Sequence, residues 1–326
     1  MGRIGLVIRS IDLGPRAFAS IAGIAEELGY ESIWATEELA RSAFVSLSTA
    51  AQNTSRIMLG TAIVSIYSRT PLTMAMEYVA LSETSGGRFI LGLGAGGPDI
   101  VSRGHGVSFV SPAARMEEYL RIIRGFLTGQ RFSYEGRFFR VRDMRMWAGP
   151  PDSVRLYVAA LNPLMLRVAG ALADGVILNI FSPVILDDIL MDIRRGAEAA
   201  GRNPADIDIC SFIPAAATSE KDSVEALKRS IAFYASSPAY RRMFELLGYG
   251  WLPELVASRT GQRETVAELI PDHLMEKIAI YLDRDDTGEK LRTFQRAGVT
   301  PLIYPQPRKE RRMEDIRKIA EGCRKT

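Results

Sequence analysis

The chain has 326 residues, 47% of them hydrophobic, and its 41 basic and 38 acidic residues give a net charge of +3 at pH 7. A charge this close to balance is not that of a nucleic-acid-binding protein, and no apolar run reaches the roughly 20 residues that span a bilayer. We therefore expect a soluble, cytoplasmic protein with no nucleic-acid partner and no membrane association. The length is compatible with a single α/β barrel, which takes about 250 residues.

Scarce residue types limit the chemistry. The two cysteines, Cys210 and Cys323, have neither metal-ligand spacing nor the density of a disulfide framework, and the two histidines are His105 and His273. The sequence therefore predicts no metal site. All seven lysines follow residue 220, which excludes a Schiff-base lysine from the first two-thirds of the chain. The chemistry is left to carboxylates, hydroxyls, arginine, the backbone or a bound cofactor.

Short β-rich runs alternate with amphipathic helical patterns along the chain, which is typical of parallel βαβ units. The first strand is predicted over Arg3–Arg9, followed by a helix over Pro15–Leu28, and a later helix is predicted over Pro71–Ser85. The remaining strands are predicted over Ser32–Thr36, Ile57–Ser65, Phe89–Leu93, Leu156–Ala160, Gly175–Asn179, Ile207–Pro214 and Thr300–Tyr304. Eight strands with helices between them predict a closed (β/α)8 TIM barrel of the α/β class.

The extra length is predicted to lie in insertions after strands 4 and 7 of one barrel domain that spans residues 1–326. After strand 4, the segment Gly96–Pro112 precedes a predicted hairpin over Phe132–Val141. After strand 7, a helical insertion is predicted over residues 237–282. The chain contains no repeat or linker that would mark a second domain.

The active site of such a barrel lies at the carboxyl ends of its strands, whatever the reaction. Strand 4 ends in the glycine-rich run Gly94–Gly97, where residues without Cβ let the backbone approach a flat or phosphorylated ligand. Strand 2 ends in Thr36, Glu37 and Glu38, although either carboxylate could instead cap the helix that follows. Arg69 follows strand 3 and is a further candidate for the site, although it could instead form an ion pair at the start of the next helix.

Motifs in order along the chain carry a family resemblance. They lie at Gly29–Glu37, Leu59–Ser65, Tyr67–Pro71, Leu91–Gly96, Leu156–Pro163 and Ala173–Asn179. Together they resemble the bacterial luciferase-like superfamily of flavin- and deazaflavin-dependent barrel oxidoreductases. With the Gly201–Ile207 segment included, the sequence is most similar to the coenzyme F420-dependent methylenetetrahydromethanopterin reductases.

The resemblance implies a cofactor that lies across the carboxyl ends of the strands. It implies a bulge or a non-prolyl cis peptide at Ala62–Ile63, behind the ring. A non-prolyl cis bond costs about 3–4 kcal/mol, so it persists only where packing and ligand hold it. The implied cofactor-binding residues are Thr36, Ala62, Ile63, Ser65, Gly94, Ala95, Gly96, Ala159, Ala160, Leu161 and Asn162, the last four approaching the phosphate.

The second-strand motif reads Glu37-Glu38 where deazaflavin enzymes of this kind commonly carry Asp-His. Because successive strand residues point in opposite directions, only one carboxylate can face the barrel mouth. We expect Glu37 to face the ring and Glu38 to lie at the helix start or reach the substrate, and we predict both as catalytic residues. Since no lysine is available in this part of the chain, Arg9 or Arg69 would meet the acidic tail of the cofactor.

The resemblance implies a coenzyme F420-dependent oxidoreductase that transfers hydride between the deazaflavin and a pterin-like or other C=N or C=O substrate. The alternative is an FMN-dependent two-component monooxygenase, and a third possibility is a non-catalytic flavin-binding barrel. Such monooxygenases usually use a histidine to direct the reaction with oxygen. His105 is the one histidine near a predicted strand end, and this scarcity favours the deazaflavin. The expected partners are a small-molecule substrate and further copies of the chain, as a homodimer or higher homo-oligomer.

Overall fold

The first and last strands of the barrel lie side by side, with Gly5 opposite Leu302, and this parallel pairing closes a ring of eight strands. The structure is a computed structural model that describes residues 2–259 and 267–325. In order around the ring, the strands are β1 (Gly5–Ile8), β2 (Ser32–Ala35), β3 (Met58–Thr61), β5 (Phe89–Gly94), β8 (Leu156–Ala159), β9 (Gly175–Leu178), β10 (Asp208–Ala216) and β12 (Val299–Pro305). The predicted TIM barrel is therefore confirmed.

Short strands extend this ring or lie outside it. Strand β4 (Val64–Ser65) continues the third barrel strand and pairs with β5, and β11 (Ile280–Tyr281) pairs with the end of β10. Strands β6 (Phe132–Glu135) and β7 (Arg140–Met144) form a separate antiparallel pair, which is the hairpin predicted from the sequence.

Helices alternate with the barrel strands. Within the described residues they are α1 (Pro15–Glu27), α2 (Ala43–Ala51), α3 (Pro71–Ser85), α4 (Pro112–Leu127), α5 (Pro163–Leu172), α6 (Leu186–Ala199), α7 (Lys221–Ala235), α8 (Arg241–Leu246), α9 (Leu252–Ser258), α10 (Asp272–Ile278), α11 (Thr287–Arg296) and α12 (Arg312–Lys325). Helices α1, α3, α4 and α5 begin at proline. A proline is favourable there because the first-turn N–H groups have no intrahelical acceptor.

The segment predicted as a helical insertion, residues 237–282, includes a 3-10 turn over Pro238–Tyr240 and the helices α8, α9 and α10. Its residues 260–266 lie outside the described residues. Nowhere in the described part of the chain is a helix long and apolar enough to cross a bilayer.

The third predicted strand, Ile57–Ser65, is interrupted by a bulge. Gly60 pairs with Ile90 and Val64 pairs with Leu93. Between these two pairs the third strand contains one residue more than β5, which is a β-bulge. At this point Ile63 has a φ of +80°. No peptide bond is cis among residues 2–259 and 267–325, so the cis peptide considered at Ala62–Ile63 is wrong. The strand is instead interrupted at Ile63, whose backbone adopts a left-handed conformation with a trans peptide bond.

The barrel interior is filled by side chains, so the site above it has a floor. The inner cluster includes Val7, Trp34, Tyr157, Phe212, Leu302 and Tyr304. A Cβ at Gly60 would come within 2.2 Å of the Trp34 indole, which shows how closely the ring is packed across the barrel. A second, larger cluster packs the helices against the outside of the strands.

The amino ends of the strands are closed by a charged cluster. Arg3 donates to Glu31 and to Asp208, each at 2.8 Å, and Tyr157 Oη donates to Asp208 at 2.6 Å. In TIM barrels this end serves stability, whereas ligands bind at the opposite end. The candidate site is therefore sought at the carboxyl ends of the strands.

Candidate active site

The bulge of the third strand presses against the glycines of β5. A Cβ at Gly94 would come within 2.2 Å of Ile63 Cγ2, and a Cβ at Gly92 within 2.1 Å of the Thr61 carbonyl oxygen. Both glycines are thus required for the close approach of two strands. A β-branched residue at positive φ costs on the order of 1–3 kcal/mol, and such strain is concentrated at functional sites. Ile63 therefore marks this end of the barrel as the candidate site.

Four small or apolar residues form what we call the mouth floor: Ala62, Ile63, Gly94 and Ala159. Ala62 belongs to the inner cluster, and Ile63 and Ala159 pack on it while remaining partly exposed. A Cβ at Gly94 would lie 3.6 Å from Ala159 Cβ, so these residues are neighbours. The floor has no polar side chain, which matches the face of a planar ring system.

The glycine-rich run continues from the mouth floor to the rim. Ser65 Oγ donates to the Ala95 carbonyl at 3.3 Å, and a Cβ at Gly96 would lie 3.2 Å from the same hydroxyl. Gly96 has a φ of +74°, which favours glycine. No atom lies within 4 Å of the Cβ position at Gly97. The loop therefore offers uncovered backbone at the rim, and the expectation that Gly94, Ala95 and Gly96 border a cofactor stays a prediction.

The carboxylate of Glu37 is held at the start of α2. Arg69 donates from Nη1 to Oε1 at 2.5 Å and from Nη2 to Oε2 at 3.1 Å, and the Ala43 N–H donates to Oε2 at 3.0 Å. Arg69 also pairs with Glu77 at 2.9 Å. Glu37, rather than Glu38, thus occupies the helix start, which corrects the expected orientation of the two residues. A catalytic role for Glu37 stays a prediction.

Glu38 lies beside the end of β1. Its backbone N–H donates to Ser10 Oγ at 3.2 Å, its Oε2 lies 3.4 Å from that hydroxyl, and the Ser10 N–H donates to Thr36 Oγ1 at 2.9 Å. Burial raises the pKa of the Glu38 carboxyl, although the Arg9 guanidinium acts in the opposite direction. A carboxyl with a raised pKa is suited to proton transfer near neutral pH.

A group of phenols and one amide faces the same mouth, and we call it the tyrosine–amide cluster: Asn179, Tyr234, Tyr240 and Tyr304. Asn179 Nδ2 donates to Tyr240 Oη at 3.0 Å, and the Tyr234 hydroxyl is hydrogen-bonded to Asn179 and Tyr304. Burial raises the pKa of Tyr304 and of Tyr234, and the charge of Glu38 also acts on both. These phenols stay protonated at neutral pH and can donate hydrogen bonds.

Sequence reasoning missed the three tyrosines. Tyr304, like Asn179, ends a predicted strand, so the rule that barrel sites lie at strand ends could have found it. Tyr234 lies near the end of α7 and Tyr240 in the 3-10 turn that follows. No local pattern marks these two, because only the packing of this segment over the barrel brings them to the mouth.

The residues expected to approach a phosphate, Ala159 to Asn162, lead into α5. Asn162 donates its side-chain N–H to a backbone carbonyl of the neighbouring 3-10 turn, and it does not cap α5. The first-turn N–H groups of α5 therefore lack a side-chain acceptor, and such a helix start attracts anions. Arg242 Nη1 donates to the Leu161 carbonyl at 3.4 Å, and its Nη2 pairs with Asp192 at 3.1 Å. Arg242 was not found from the sequence.

The closed parallel barrel, with its floored and polar-rimmed mouth at the carboxyl ends of the strands, has the architecture of an α/β-barrel enzyme. The profile of the family described as "Luciferase-like monooxygenase" matches residues 9–301. The chain belongs to this family, which confirms the resemblance found in the sequence motifs.

Individual relatives narrow the comparison. The chain is 29% identical over 296 residues to a 5,10-methylenetetrahydromethanopterin reductase of Methanolobus tindarius, with 89% of this chain and 90% of the relative covered. It is 27% identical over 321 residues to a putative coenzyme F420-dependent oxidoreductase of Mycobacterium tuberculosis, with the same coverage. The structure of the coenzyme F420-dependent tetrahydromethanopterin reductase from Methanopyrus kandleri superposes with a TM-score of 0.82 at 27% identity and covers 96% of each chain. The predicted similarity to F420-dependent enzymes is confirmed.

Proposed function

We propose that this protein is a coenzyme F420-dependent reductase or dehydrogenase that transfers hydride between the deazaflavin and a C=N or C=O group, with a pterin-like compound as the first candidate substrate. The observation that carries the proposal is the placement of Glu38 beside the mouth floor. The Ala62 N–H donates to the Ala35 carbonyl at 2.7 Å, and Ala35 immediately precedes Thr36 and the two glutamates. A ring face and a proton-transferring carboxyl are thus supplied by adjacent strands.

The residues present fit a deazaflavin cofactor. Over the mouth floor, any side chain at Gly94 would collide with Ile63, so backbone and small apolar groups are what a ring would meet there. Next to Ala159, the first-turn backbone N–H groups at the uncapped start of α5 would hold a phosphate. The glycine-rich run follows the neighbouring strand β5 and leaves room beside the start of α5 for the cofactor to extend over the rim.

Reduction of a C=N or C=O bond needs a hydride and a proton, and the two come from different sources. When bound, coenzyme F420 supplies the carbon that carries the hydride. Glu38 would give or take the proton, because burial raises the pKa of its carboxyl and so favours the protonated form relative to an exposed carboxyl. The tyrosine–amide cluster would donate hydrogen bonds to the substrate heteroatom and orient the bond to be reduced.

The similarity to methylenetetrahydromethanopterin reductases supports a pterin-like substrate. The scarcity of histidine supports the deazaflavin over the FMN alternative, since His105 is exposed and the second histidine, His273, lies on α10. A deazaflavin has carbon at the position of the reactive flavin N5, so it carries hydride and does not readily activate oxygen.

A side-by-side titration tests the cofactor. The purified protein should bind coenzyme F420 more tightly than FMN, as measured by the quenching of cofactor fluorescence. With reduced F420 bound, a methylene-tetrahydropterin or a simple ketone should restore the absorbance of oxidised F420 without oxygen consumption. Tighter binding of FMN, with oxygen consumed after reduction, would identify a monooxygenase instead. Binding of neither cofactor would contradict the proposal and favour a non-catalytic barrel.

A further inference from the structure

An arginine without a carboxylate partner lies at the rim of the mouth. The guanidinium carbon of Arg115, in the first turns of α4, lies 4.7 Å from the ring centre of Tyr67, 4.8 Å from that of Phe138 and 5.1 Å from that of Phe139. Its buried Nε has no hydrogen-bond partner, and the guanidinium makes no ion pair with any residue that the structure describes. A permanently charged group is thus held in an aromatic cage with its counter-ion missing.

The cage is joined to the glycine-rich run of the mouth. The Tyr67 N–H donates to Ser65 Oγ at 3.2 Å, and this hydroxyl also donates to Ala95 and lies next to Gly96. Tyr67 therefore contacts both the Arg115 guanidinium and Ser65, which borders the glycine-rich run. A ligand that extends from the mouth floor along this run is the one that the cage is placed to bind.

The other side of the cage is fixed by α4 itself. The Glu118 carboxylate accepts the backbone N–H groups of Arg137, Phe138 and Phe139, at 2.8, 2.9 and 3.1 Å. Charge-assisted hydrogen bonds of this kind hold the hairpin turn rigidly against the helix. The Phe138 and Phe139 rings are therefore held in place before a ligand arrives, and Arg115 stacks on them without needing to rearrange.

The arginines that the sequence suggested for an acidic ligand are already paired. Arg9 is bound to Asp12 at 2.6 Å, and Arg69 is bound to Glu37 and Glu77. A guanidinium with its carboxylate in place has little to gain from a second anion. Among these mouth arginines, Arg115 is the one whose positive charge is left unmatched.

We infer that Arg115 and its aromatic cage form a binding site for a carboxylate chain that extends from the barrel mouth. The inference rests on the proposed function for the identity of the ligand. Two sources share the required chemistry: the acidic, glutamate-containing tail of coenzyme F420, and the carboxylates of an acidic substrate. A planar guanidinium pre-oriented on aromatic rings binds such a carboxylate through two parallel hydrogen bonds.

The affinities of the full-length protein for F420, for F0 5′-phosphate, which keeps the phosphate but lacks the acidic tail, and for F0, which lacks both, separate the two sources. If the ligand is the cofactor tail, Arg115→Gln should weaken F420 binding about 10- to 100-fold and leave F0 5′-phosphate binding and F0 binding unchanged. The matched control is Arg121→Gln, which removes the same charge from the exposed side of α4, where Arg121 pairs with Glu117. The control should leave all of these affinities unchanged.

A tetraglutamate peptide, titrated by calorimetry, is the second probe. If the cofactor tail is the ligand, the peptide binds the F0-saturated protein and not the F420-saturated protein. If a substrate carboxylate is the ligand, the peptide binds both complexes, and in either case Arg115→Gln abolishes binding. An Arg115→Gln protein that binds F420 as tightly as wild type does, together with no peptide binding to wild type, would overturn the inference.

Two further readouts keep the test independent of folding and of the proposed function. If Arg115→Gln does not fold, the wild-type protein decides. Either F420 affinity falls with salt more steeply than F0 5′-phosphate affinity, or the tetraglutamate peptide binds the F420-saturated protein, and the absence of both results would refute the site. If neither F420 nor F0 binds, the proposed function fails, whereas peptide binding to the free protein still reports on Arg115.

Discussion

Gly94 and Ile63 compete for one space: a Cβ on Gly94 would lie 2.2 Å from Ile63 Cγ2. The glycine of β5 and the bulged isoleucine of the third strand are therefore a single structural unit. Ile63 keeps its unfavourable φ of +80° because Gly94 leaves room for its side chain. The mouth floor depends on this pair.

Gly94→Ala should therefore destabilise the protein by about 1–3 kcal/mol, since the new methyl group overpacks the floor. It should also weaken cofactor binding, because Ile63 must move. Chemical denaturation and F420 titration measure the two effects.

Two variants control this prediction. Gly97→Ala, in the same loop, meets no atom within 4 Å and should be close to wild type in both measurements. Adding Ile63→Ala to Gly94→Ala removes the clashing Cγ2 and should restore part of the lost stability. A Gly94→Ala protein as stable as Gly97→Ala would show that the two residues do not compete.

Glu37→Gln should mainly affect stability. The variant leaves the half-buried Arg69 guanidinium with a neutral partner, and loss of a charge-assisted pair costs about 2 kcal/mol. Cofactor affinity should change little, because the Glu37 carboxylate is occupied by Arg69 and by the start of α2. If Glu37→Gln kept its melting temperature and lost turnover, the original assignment of Glu37 to the ring would be correct.

Glu38→Gln should have the opposite profile, with turnover reduced about 100-fold or more because the proton donor is removed. Stability should increase at neutral pH. The folded-state pKa of Glu38 is raised, so the stability linked to this carboxyl is present below the unfolded pKa, about 4.3, and is lost as the pH rises through the folded pKa.

The gain in melting temperature of Glu38→Gln over wild type should consequently grow as the pH rises from about 4.3 through the folded-state pKa of Glu38. Scanning calorimetry across this range, with Glu37→Gln as the comparison, measures it. A gain that is independent of pH would mean that Glu38 does not titrate in this window.

Asp315→Asn tests the ion pair between α12 and the loop that follows β12. The Asp315 carboxylate accepts the Arg308 N–H at 2.8 Å and pairs with its guanidinium at 2.6 Å, which lowers the pKa of Asp315. Its contribution to stability is therefore present above the unfolded pKa, about 3.9, and is lost as the pH falls through the lower folded value. The variant should be less stable than wild type at pH 7, and the difference should shrink below about pH 4, while turnover at pH 7 stays unchanged.

The order of strands and helices, and with it the barrel, could be predicted from the sequence because periodicity and strand–helix alternation are local properties. The Pro71–Ser85 helix was predicted with both ends correct, since Pro71 starts it and Gly86 ends it in a left-handed conformation. The glycine-rich run and the pair Glu37-Glu38 could be nominated for the same reason, because strand ends converge in any parallel barrel.

Only the tertiary structure decided what these residues touch. Glu37 and Glu38 are adjacent and chemically equivalent in the sequence, and they are distinguished by partners 28 to 32 residues away, Ser10 and Arg69. Tyr234 and Arg242 reach the mouth from a segment more than 50 residues beyond the fifth barrel strand, β8. The sequence alone determined the elements and their order. Burial, ion pairing and pKa are set by packing between distant segments, and this packing distinguishes Glu38 from Glu37 and leaves Arg115 without an ion pair among the described residues.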